Sequence, residues 1–237
     1  MLAYGPDYVI GGTYLRQSYD DHFFSQFQSV YINYSETKHL DNPDYIATHA
    51  MGIYASTFNK AGGFKERWLP ILEDVEFSHR LRALGYKLKI NPHINLRHIF
   101  NFSIKNSILN ALNKSSYWTL YSIKNKDLFA DSGTASHELN ANVILFYFAL
   151  AGIIFFLMTS NVTFLALSAL LTAANIYINR FLFKAFNDTY GFTFSLLSIM
   201  YYLWIYPLPV SMGGFLGIIK HFRLTQPLAL NTQCSPR

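Results

Sequence analysis

Three acidic residues, Glu73, Asp74 and Glu76, lie within a stretch of four positions. A helical pattern of apolar residues starts directly after them, so the acids occupy a helix N-terminus, where the helix dipole favours the ionised carboxylate. A carboxylate at the edge of a cleft can accept a proton from a reacting hydroxyl, which makes Asp74 a candidate base. Helix capping is the simpler interpretation, because an acidic residue at an N-cap contributes about 1 kcal/mol without any catalytic role.

The elements around these acids are predicted from periodicity. The helix ends at Gly85, in the position where glycine closes helices. From residue 86 the period changes to two, which predicts a strand that ends at Asn91-Pro92 and a second short alternation over 94–98. The apolar face of the helix comprises Phe77, Leu81 and Leu84.

The preceding residues predict further elements of an α/β domain. A strand over 8–14 is broken by Gly11-Gly12, which form either a plain turn or a loop that faces a ligand. Residues 19–34 have the spacing of an amphipathic helix whose aromatic stripe is typical of a core. A buried strand is predicted over 45–55, and a helical turn follows it over 57–60.

This order of motifs resembles the second half of a family 2 glycosyltransferase. The resemblance implies an α/β class with a partial GT-A fold, the fold of nucleotide-diphospho-sugar transferases, over residues 1–103. The motifs that carry it, in order, are Gly62-Gly63-Phe64, Glu73-Asp74-Val75-Glu76-Phe77, Arg80-Leu81, Gly85-Tyr86 and a strand that ends at His98.

The resemblance also implies roles for particular residues in sugar transfer with inversion at the anomeric carbon. Asp74 would be the base, and Glu73 would orient it or bond to the acceptor. His98 stands where many relatives have a histidine that contacts the metal or the diphosphate, although a histidine at a strand end needs no ligand role. Residues expected on the substrate side are Gly62, Gly63, Phe64, Glu76 and Arg80.

One part of the family pattern is absent from the sequence. The family holds a divalent cation, Mg²⁺ or Mn²⁺, on the donor diphosphate through an Asp-x-Asp in its upstream half, and no Asp-x-Asp occurs here. The resemblance therefore covers only the acceptor-side half, and we expect a fragment of a longer protein or a truncated gene product. The Gln-x-x-Arg-Trp signature of processive synthases is also missing.

The second half of the chain predicts an all-α membrane region. Residues 104–138 form a helix and linker, the helix lying either at a membrane interface or packed on the domain. Within 139–223, no charge occurs from Leu139 to Asn179, which is enough for two spans near 142–160 and 162–179.

A third uncharged run covers 189–219 and contains Pro207 and Pro209. It either crosses the bilayer or dips in and returns, and the positive charges of Lys220 and Arg223 favour return. We expect the tail, 224–237, to be disordered.

Composition and flanking charges set the expected location. Lysines and arginines flank the first two spans, which predicts a multi-pass membrane protein whose catalytic domain is cytoplasmic, and the first residues lack a signal peptide. The net charge of +5 is better explained by anionic lipid than by nucleic acid, because no dense basic cluster with aromatics occurs. Cys234 is the only cysteine, which excludes a disulfide within the chain.

The sequence therefore predicts a membrane-bound glycosyltransferase that acts in surface polysaccharide or glycolipid synthesis. Its expected partners are a nucleotide-sugar donor, a lipid-linked or glycan acceptor, and membrane lipids. The alternative is a non-catalytic membrane protein that retains a decayed glycosyltransferase half, which the missing Asp-x-Asp favours.

Overall fold

The structure is a computed structural model that describes residues 4–65, 70–128 and 130–225. It is a mixed α/β fold in which a small sheet is joined to a mostly helical region, as the coarse fold class predicts. Of the tail predicted over 224–237, residues 226–237 lie outside the described residues, and Thr225 still belongs to the last helix.

The elements fall into two groups along the chain. The first group comprises β1 (Tyr8–Tyr14), α1 (Phe23–Glu36), a 3₁₀ turn (Thr48–Ala50), β2 (Met51–Gly52), α2 (Ala55–Lys60), α3 (Glu73–Ala83) and β3 (Lys87–Leu96). The second group comprises α4 (Ile104–Asn125), α5 (His137–Thr159), α6 (Val162–Ile178), α7 (Arg180–Tyr190), α8 (Phe192–Met200), a π-helical turn (Tyr201–Ile205) and α9 (Pro207–Thr225).

The sheet has the order β2-β1-β3, with β2 antiparallel and β3 parallel to the central strand. β3 continues through Asn91-Pro92, so the predicted end of the strand at this pair is wrong. Its pairing with β1 shifts register between Gly11 and Thr13, and Pro92 lies opposite this irregularity. A proline is tolerated there because a bulged residue makes no ladder hydrogen bond.

Gly11 and Gly12 lie inside an unbroken β1, so both sequence interpretations of this pair are wrong. A Cβ added at Gly11 would come within 2.6 Å of the Ile46 side chain, and one at Gly12 would come within 2.6 Å of the Ile94 side chain. The glycines therefore allow neighbouring chain segments to approach the strand closely.

The predicted strand over 45–55 forms only at Met51–Gly52. Ile46 is fully buried, and its N–H bonds to Ser78 Oγ of α3 at 3.0 Å. A side chain thus takes the place of a strand ladder, which is why an apolar segment remains irregular here. The predicted helical turn over 57–60 is confirmed as the end of α2.

Helix α3 ends in a Schellman motif, as Gly85 predicts. Gly85 has φ +89°, its N–H bonds to Arg82 O, and the N–H of Tyr86 bonds to Leu81 O. Phe77 and Leu81 are fully buried in the core beneath the sheet. Leu84 is wrong as a member of the apolar face: it is the C-cap residue, turned away from the core and 55% exposed.

Helix α1 joins the sheet to the helical region. Its aromatic stripe is core, as predicted: Phe27 and Val30 are fully buried, and the Phe27 ring stacks on Phe186 of α7 at 5.1 Å. Tyr19 precedes the helix and is exposed. The buried side of α1 therefore shares one core with α7 and the π-helical turn, across the domain boundary predicted at residue 103.

The helical region contains two helices that are long and apolar enough to cross a membrane, 137–159 and 192–223. A third is possible by length if α6 and α7, which meet at a bend of 64°, form one span. The run over 192–223 forms one helix without a reversal, and whether it crosses the bilayer stays a prediction. Pro207 is the first residue of α9 and follows the π-helical turn after Tyr206, so the proline lies where the regular α-helical bonding is already interrupted.

Helix α4 packs along α9, which belongs to a candidate membrane span, so its placement at a membrane interface stays a prediction. A Cβ at Gly213 would press on the carbonyl oxygen of Leu112, and one at Gly217 would press on the carbonyl oxygen of Ser116. Two glycines four residues apart allow the helix backbones to approach closely, as in membrane helix pairs.

A ladder of asparagine side chains crosses the interior of the helical region. Asn175 Nδ2 donates to Asn142 Oδ1 at 2.8 Å, and Asn179 Nδ2 donates to Asn175 Oδ1 at 2.9 Å. Asn142 Nδ2 in turn donates to the carbonyl of Tyr202 in the π-helical turn. These bonds connect α5, α6 and the π-helical turn through buried amides that would be costly to leave unpaired in an apolar surrounding.

The α4–α9 contact predicts that alanine destabilises the protein at one of two neighbouring glycines and is tolerated at the other. Gly213→Ala should lower the free energy of unfolding in detergent by about 1–3 kcal/mol, because its Cβ overpacks against the α4 backbone. Gly214→Ala is the control, since its Cβ lies 3.6 Å from Thr119 Oγ1, an ordinary contact. Equal losses in the two variants, measured by denaturant titration, would contradict this packing.

Candidate functional site

Asp74 is the second residue of α3, and the chain around it fixes its carboxylate. The helix begins after Leu72, which has φ +74° and is buried against Val75 and Trp118 of α4. No side chain caps the helix at Leu72. Asp74 Oδ1 instead accepts from the N–H of Val75 at 2.8 Å, and the N–H of Thr48 also bonds to the carboxylate.

The surroundings of Asp74 make its carboxylate more basic than usual. Burial raises the pKa of Asp74, and the negative charge of Glu73 raises it further, while the two N–H bonds and Lys114 act in the opposite direction. The residue as a whole is only half-buried, and Glu73 is exposed. Asp74 is therefore an oriented, partly accessible carboxylate with a raised proton affinity, which is what a general base requires.

A second carboxylate, Glu36, lies close by at the end of α1. Its Oε2 accepts from Thr13 Oγ1 at 2.8 Å and lies 3.7 Å from His49 Nε2. The His49 ring stacks on Tyr14 at 4.0 Å between centroids. The 3₁₀ turn thus places Thr48 against Asp74 and His49 against Glu36, so it links the two carboxylates.

Burial shifts the pKa of Glu36 and that of His49 in opposite directions. It raises the pKa of Glu36 to about 7, although the Thr13 hydroxyl and the charge of Lys114 oppose the shift. It lowers the pKa of His49 to about 4, with a further contribution from His98 and Lys114. Between these two values both side chains are neutral, so their 3.7 Å contact is not an ion pair in that range.

Lys114 of α4 brings a positive charge to both carboxylates. Burial lowers the pKa of Lys114, while the charges of Glu36 and Asp74 raise it. We call these six residues the Asp74 cluster: Thr13, Tyr14, Glu36, His49, Asp74 and Lys114.

Arg80 and Glu76 form a separate group on α3, which we call the Arg80 clamp. Arg80 NH2 donates to Glu76 Oε2 at 2.8 Å and to Gly63 O at 2.7 Å, and NH1 donates to Ala61 O. Lys65 adds an ion pair to Glu76 Oε1 at 2.6 Å. The guanidinium therefore fastens the glycine loop, in which Gly62 and Gly63 have positive φ, onto α3.

The expected site residues therefore fall into two groups. Asp74 belongs to the Asp74 cluster, and Glu73 is its neighbour at the helix tip. Arg80 binds Glu76 and Gly63 O in the clamp, and Gly62 lies in the same loop between the two bonded carbonyls. Phe64 packs against the rings of Phe58 and Phe77 at 5.5 and 4.9 Å. The clamp explains these residues by loop anchoring, and their contact with substrate stays a prediction.

His98 lies beside the Asp74 cluster as a ring packed on Tyr14 and Phe100. Its Nδ1 is buried and has no hydrogen-bond partner in the described part of the chain. Across residues 4–65, 70–128 and 130–225, no group of three or more histidine, cysteine or acidic side chains is placed to hold a metal ion. His98 as a ligand of Mg²⁺ or Mn²⁺ stays a prediction.

Sequence patterns did not identify Glu36, His49 and Lys114 as site residues. Glu36 carried a signal, because it is the only charged residue in α1. His49 and Lys114 carried none, since they approach the carboxylates only when the 3₁₀ turn and α4 pack together.

A scan against protein-family models and searches of the curated proteins and of the solved structures found no match to this chain.

The raised pKa of Glu36 predicts a pH-dependent stability. Glu36 ionises at about 7 in the folded chain but near 4.5 when unfolded, so its stabilising contribution is present below pH 4.5 and is lost as the pH rises through 7. As the pH rises over this range, the free energy of unfolding of the wild type should fall by on the order of 3 kcal/mol relative to that of Glu36→Gln. Denaturant titration in detergent at several pH values measures this difference.

Glu76→Gln is the matched control for that titration. Burial acts to raise the pKa of Glu76, but the hydrogen bonds from Arg80 and Lys65 outweigh burial, so the pKa of Glu76 is lowered. Its stabilising contribution is therefore present above pH 4.5 and is lost only as the pH falls below that value. A Glu36→Gln difference that stays constant from pH 5 to 8 would contradict the burial of the Glu36 carboxylate.

The Arg80 clamp predicts that a lysine cannot replace this arginine. Arg80→Lys keeps the charge but loses the planar fork that reaches two carbonyls and a carboxylate, so the free energy of unfolding should fall by about 1–3 kcal/mol. Arg82→Lys is the control on the same helix, because Arg82 pairs with Asp44 at an exposed site, where an ion pair contributes at most about 1 kcal/mol. Equal effects in equilibrium unfolding would rule out the clamp.

Proposed function

We propose that the chain is the acceptor-side part of a membrane-bound glycosyltransferase of the GT-A type. In the proposed step, the acceptor hydroxyl oxygen attacks the anomeric carbon of a nucleotide-sugar, and its proton passes to the Asp74 carboxylate. The bond between that carbon and the diphosphate breaks, and its electron pair leaves with the diphosphate oxygen. Attack opposite the leaving group inverts the anomeric centre.

The observation that supports this proposal most is the state of the Asp74 carboxylate. It is held by the N–H groups of Val75 and Thr48, it is half-buried, and its pKa is raised by burial and by Glu73. Such a group has an increased tendency to take up a proton, which suits a general base. A carboxylate that served only the helix N-terminus would need neither the burial nor the neighbouring charge of Glu73.

The position of Asp74 relative to the helical region supports an acceptor that is held at the membrane. Lys114, whose charge acts on Asp74, belongs to α4, and α4 packs along the candidate span 192–223. The base is thus one side chain away from a helix that adjoins the candidate membrane spans. A lipid-linked acceptor, or a glycan growing at the bilayer surface, would bring its hydroxyl to this position.

The competing function is that of a non-catalytic membrane protein. The Arg80 clamp favours it, because Arg80, Glu76 and the glycine-loop carbonyls satisfy one another. The two functions differ in what Asp74 does. In the competing case Asp74 contributes only to folding.

The test measures sugar transfer by membranes from cells that express the protein from its native gene locus. Asp74→Asn should lower the incorporation of labelled sugar from a nucleotide-sugar into lipid extract or polymer by about 10²–10⁴-fold, because the amide cannot take up the proton. Asp7→Asn, at an exposed position before β1, should leave incorporation unchanged.

Both variants are compared at equal amounts of membrane-inserted protein, so that a folding defect is not read as lost catalysis. Retained transfer in Asp74→Asn would end the assignment of the base. No transfer from any nucleotide-sugar by the wild type would favour the non-catalytic function.

A further inference from the structure

A cavity of about 260 Å³ lies where the sheet group meets the helical group. Its walls come from α1, α4, α5, α9 and the segment between α4 and α5. Asp74 does not line this cavity, but Lys114 does. The cavity is therefore separate from the proposed base and adjoins it through the lysine.

Two polar groups that line the cavity lack a hydrogen-bond partner among the described residues. Gln28 is 2% exposed, and its side-chain oxygen has no hydrogen-bond partner. Asp127 also lines the cavity, and its Oδ1 is buried without a partner. Both atoms are hydrogen-bond acceptors, so what they lack is a donor such as a hydroxyl group.

Part of the cavity wall is apolar and comes from the two candidate membrane spans. Val143 and Ile144 lie in the second turn of α5, and Val210 and Gly214 belong to the span 192–223. Ile144 is 52% exposed although it lines the cavity, so this part of the wall reaches the outer surface of the helices. In a bilayer that surface is covered by hydrocarbon.

We propose that this cavity binds one membrane lipid whose headgroup carries hydroxyl groups. A headgroup hydroxyl would donate to the Gln28 side-chain oxygen, and a hydrocarbon chain would leave between Val143 and Val210 along Ile144. A soluble sugar would leave the apolar part of the wall without contacts, and a plain hydrocarbon would leave the buried Gln28 oxygen unpaired. The inference does not rest on the proposed sugar transfer, because binding needs no donor.

The test is lipid retention by the purified full chain in detergent, measured by native mass spectrometry. Phosphatidylglycerol, which has a hydroxylated headgroup, should remain bound in a one-to-one complex at about ten-fold lower concentration than phosphatidylcholine, which has none. Phosphatidylserine, which is anionic and lacks hydroxyls, separates hydroxyl recognition from attraction to Lys114. Retention of phosphatidylserine equal to that of phosphatidylglycerol would overturn the proposal.

Substitutions at two cavity positions, together with one control substitution, locate the bound lipid. Val143→Trp should fill the cavity and abolish one-to-one retention, whereas Ile154→Trp, at an exposed position farther along the same helix, should not. Gln28→Leu keeps the side-chain volume and should remove the preference for phosphatidylglycerol over phosphatidylcholine. Each variant is first shown to unfold cooperatively.

Equal retention in Val143→Trp and Ile154→Trp would place the lipid outside the cavity. An unchanged preference in Gln28→Leu would also overturn the proposal, because the buried amide would then take no part in recognition. The leucine variant keeps the test decisive if the tryptophan variant fails to fold.

Discussion

The packing of α1 against two different partners is the constraint on which the arrangement of this protein depends. Its apolar side, with Phe27 stacked on Phe186, is buried in the core of the helical region. Its polar side is tied to the end of β1, because Ser29 Oγ donates to Leu15 O and Asn33 Nδ2 donates to Tyr14 O, each at 2.7 Å. One helix thus fixes the sheet relative to the candidate membrane spans, and it carries Glu36 to the point where the two meet.

Charge burial at this junction follows from that packing. Carboxylates from α1 and α3 and an ammonium from α4 share a region with little water, so each acquires an altered proton affinity. Opposite slopes of stability with pH are expected from Glu36 and His49, since burial favours the neutral form of each. Burial therefore favours the neutral forms of Glu36, His49 and Lys114 at the junction, beside the Asp74 carboxylate of the proposed reaction.

The helical region is held together by close contacts and by polar groups as well as by apolar bulk. Glycines let α9 approach α4, and the asparagine ladder links α5 and α6 to the π-helical turn. Both devices suit helices surrounded by lipid, where apolar side chains alone give little preference for one partner over another. The bend between α6 and α7 then returns the chain to α1, where the amphipathic α7 completes the shared core.

Some features could be predicted from the sequence because they depend only on interactions between neighbouring residues. The α3 terminus at Gly85 was predictable because the Schellman motif requires a residue with positive φ, and the aromatic stripe of α1 was predictable because helical spacing places Phe27 and Val30 on one side. The uncharged runs in the second half predicted helices long enough to cross a bilayer, since length and apolarity are sufficient for that property.

Features that depend on contacts between distant segments were decided only by the tertiary structure. Gly11 and Gly12 were misread because the side chains that crowd β1 come from Ile46 and Ile94, far away in the sequence. Residues 45–47 formed no strand because a serine of α3 supplied the hydrogen bond that a strand would have made. The neighbourhood of Asp74 was set in the same way: the sequence by itself determined that acids stand at a helix tip, whereas the packing of α1, the 3₁₀ turn and α4 decided which buried charges surround them, because burial and proximity are properties of the folded chain.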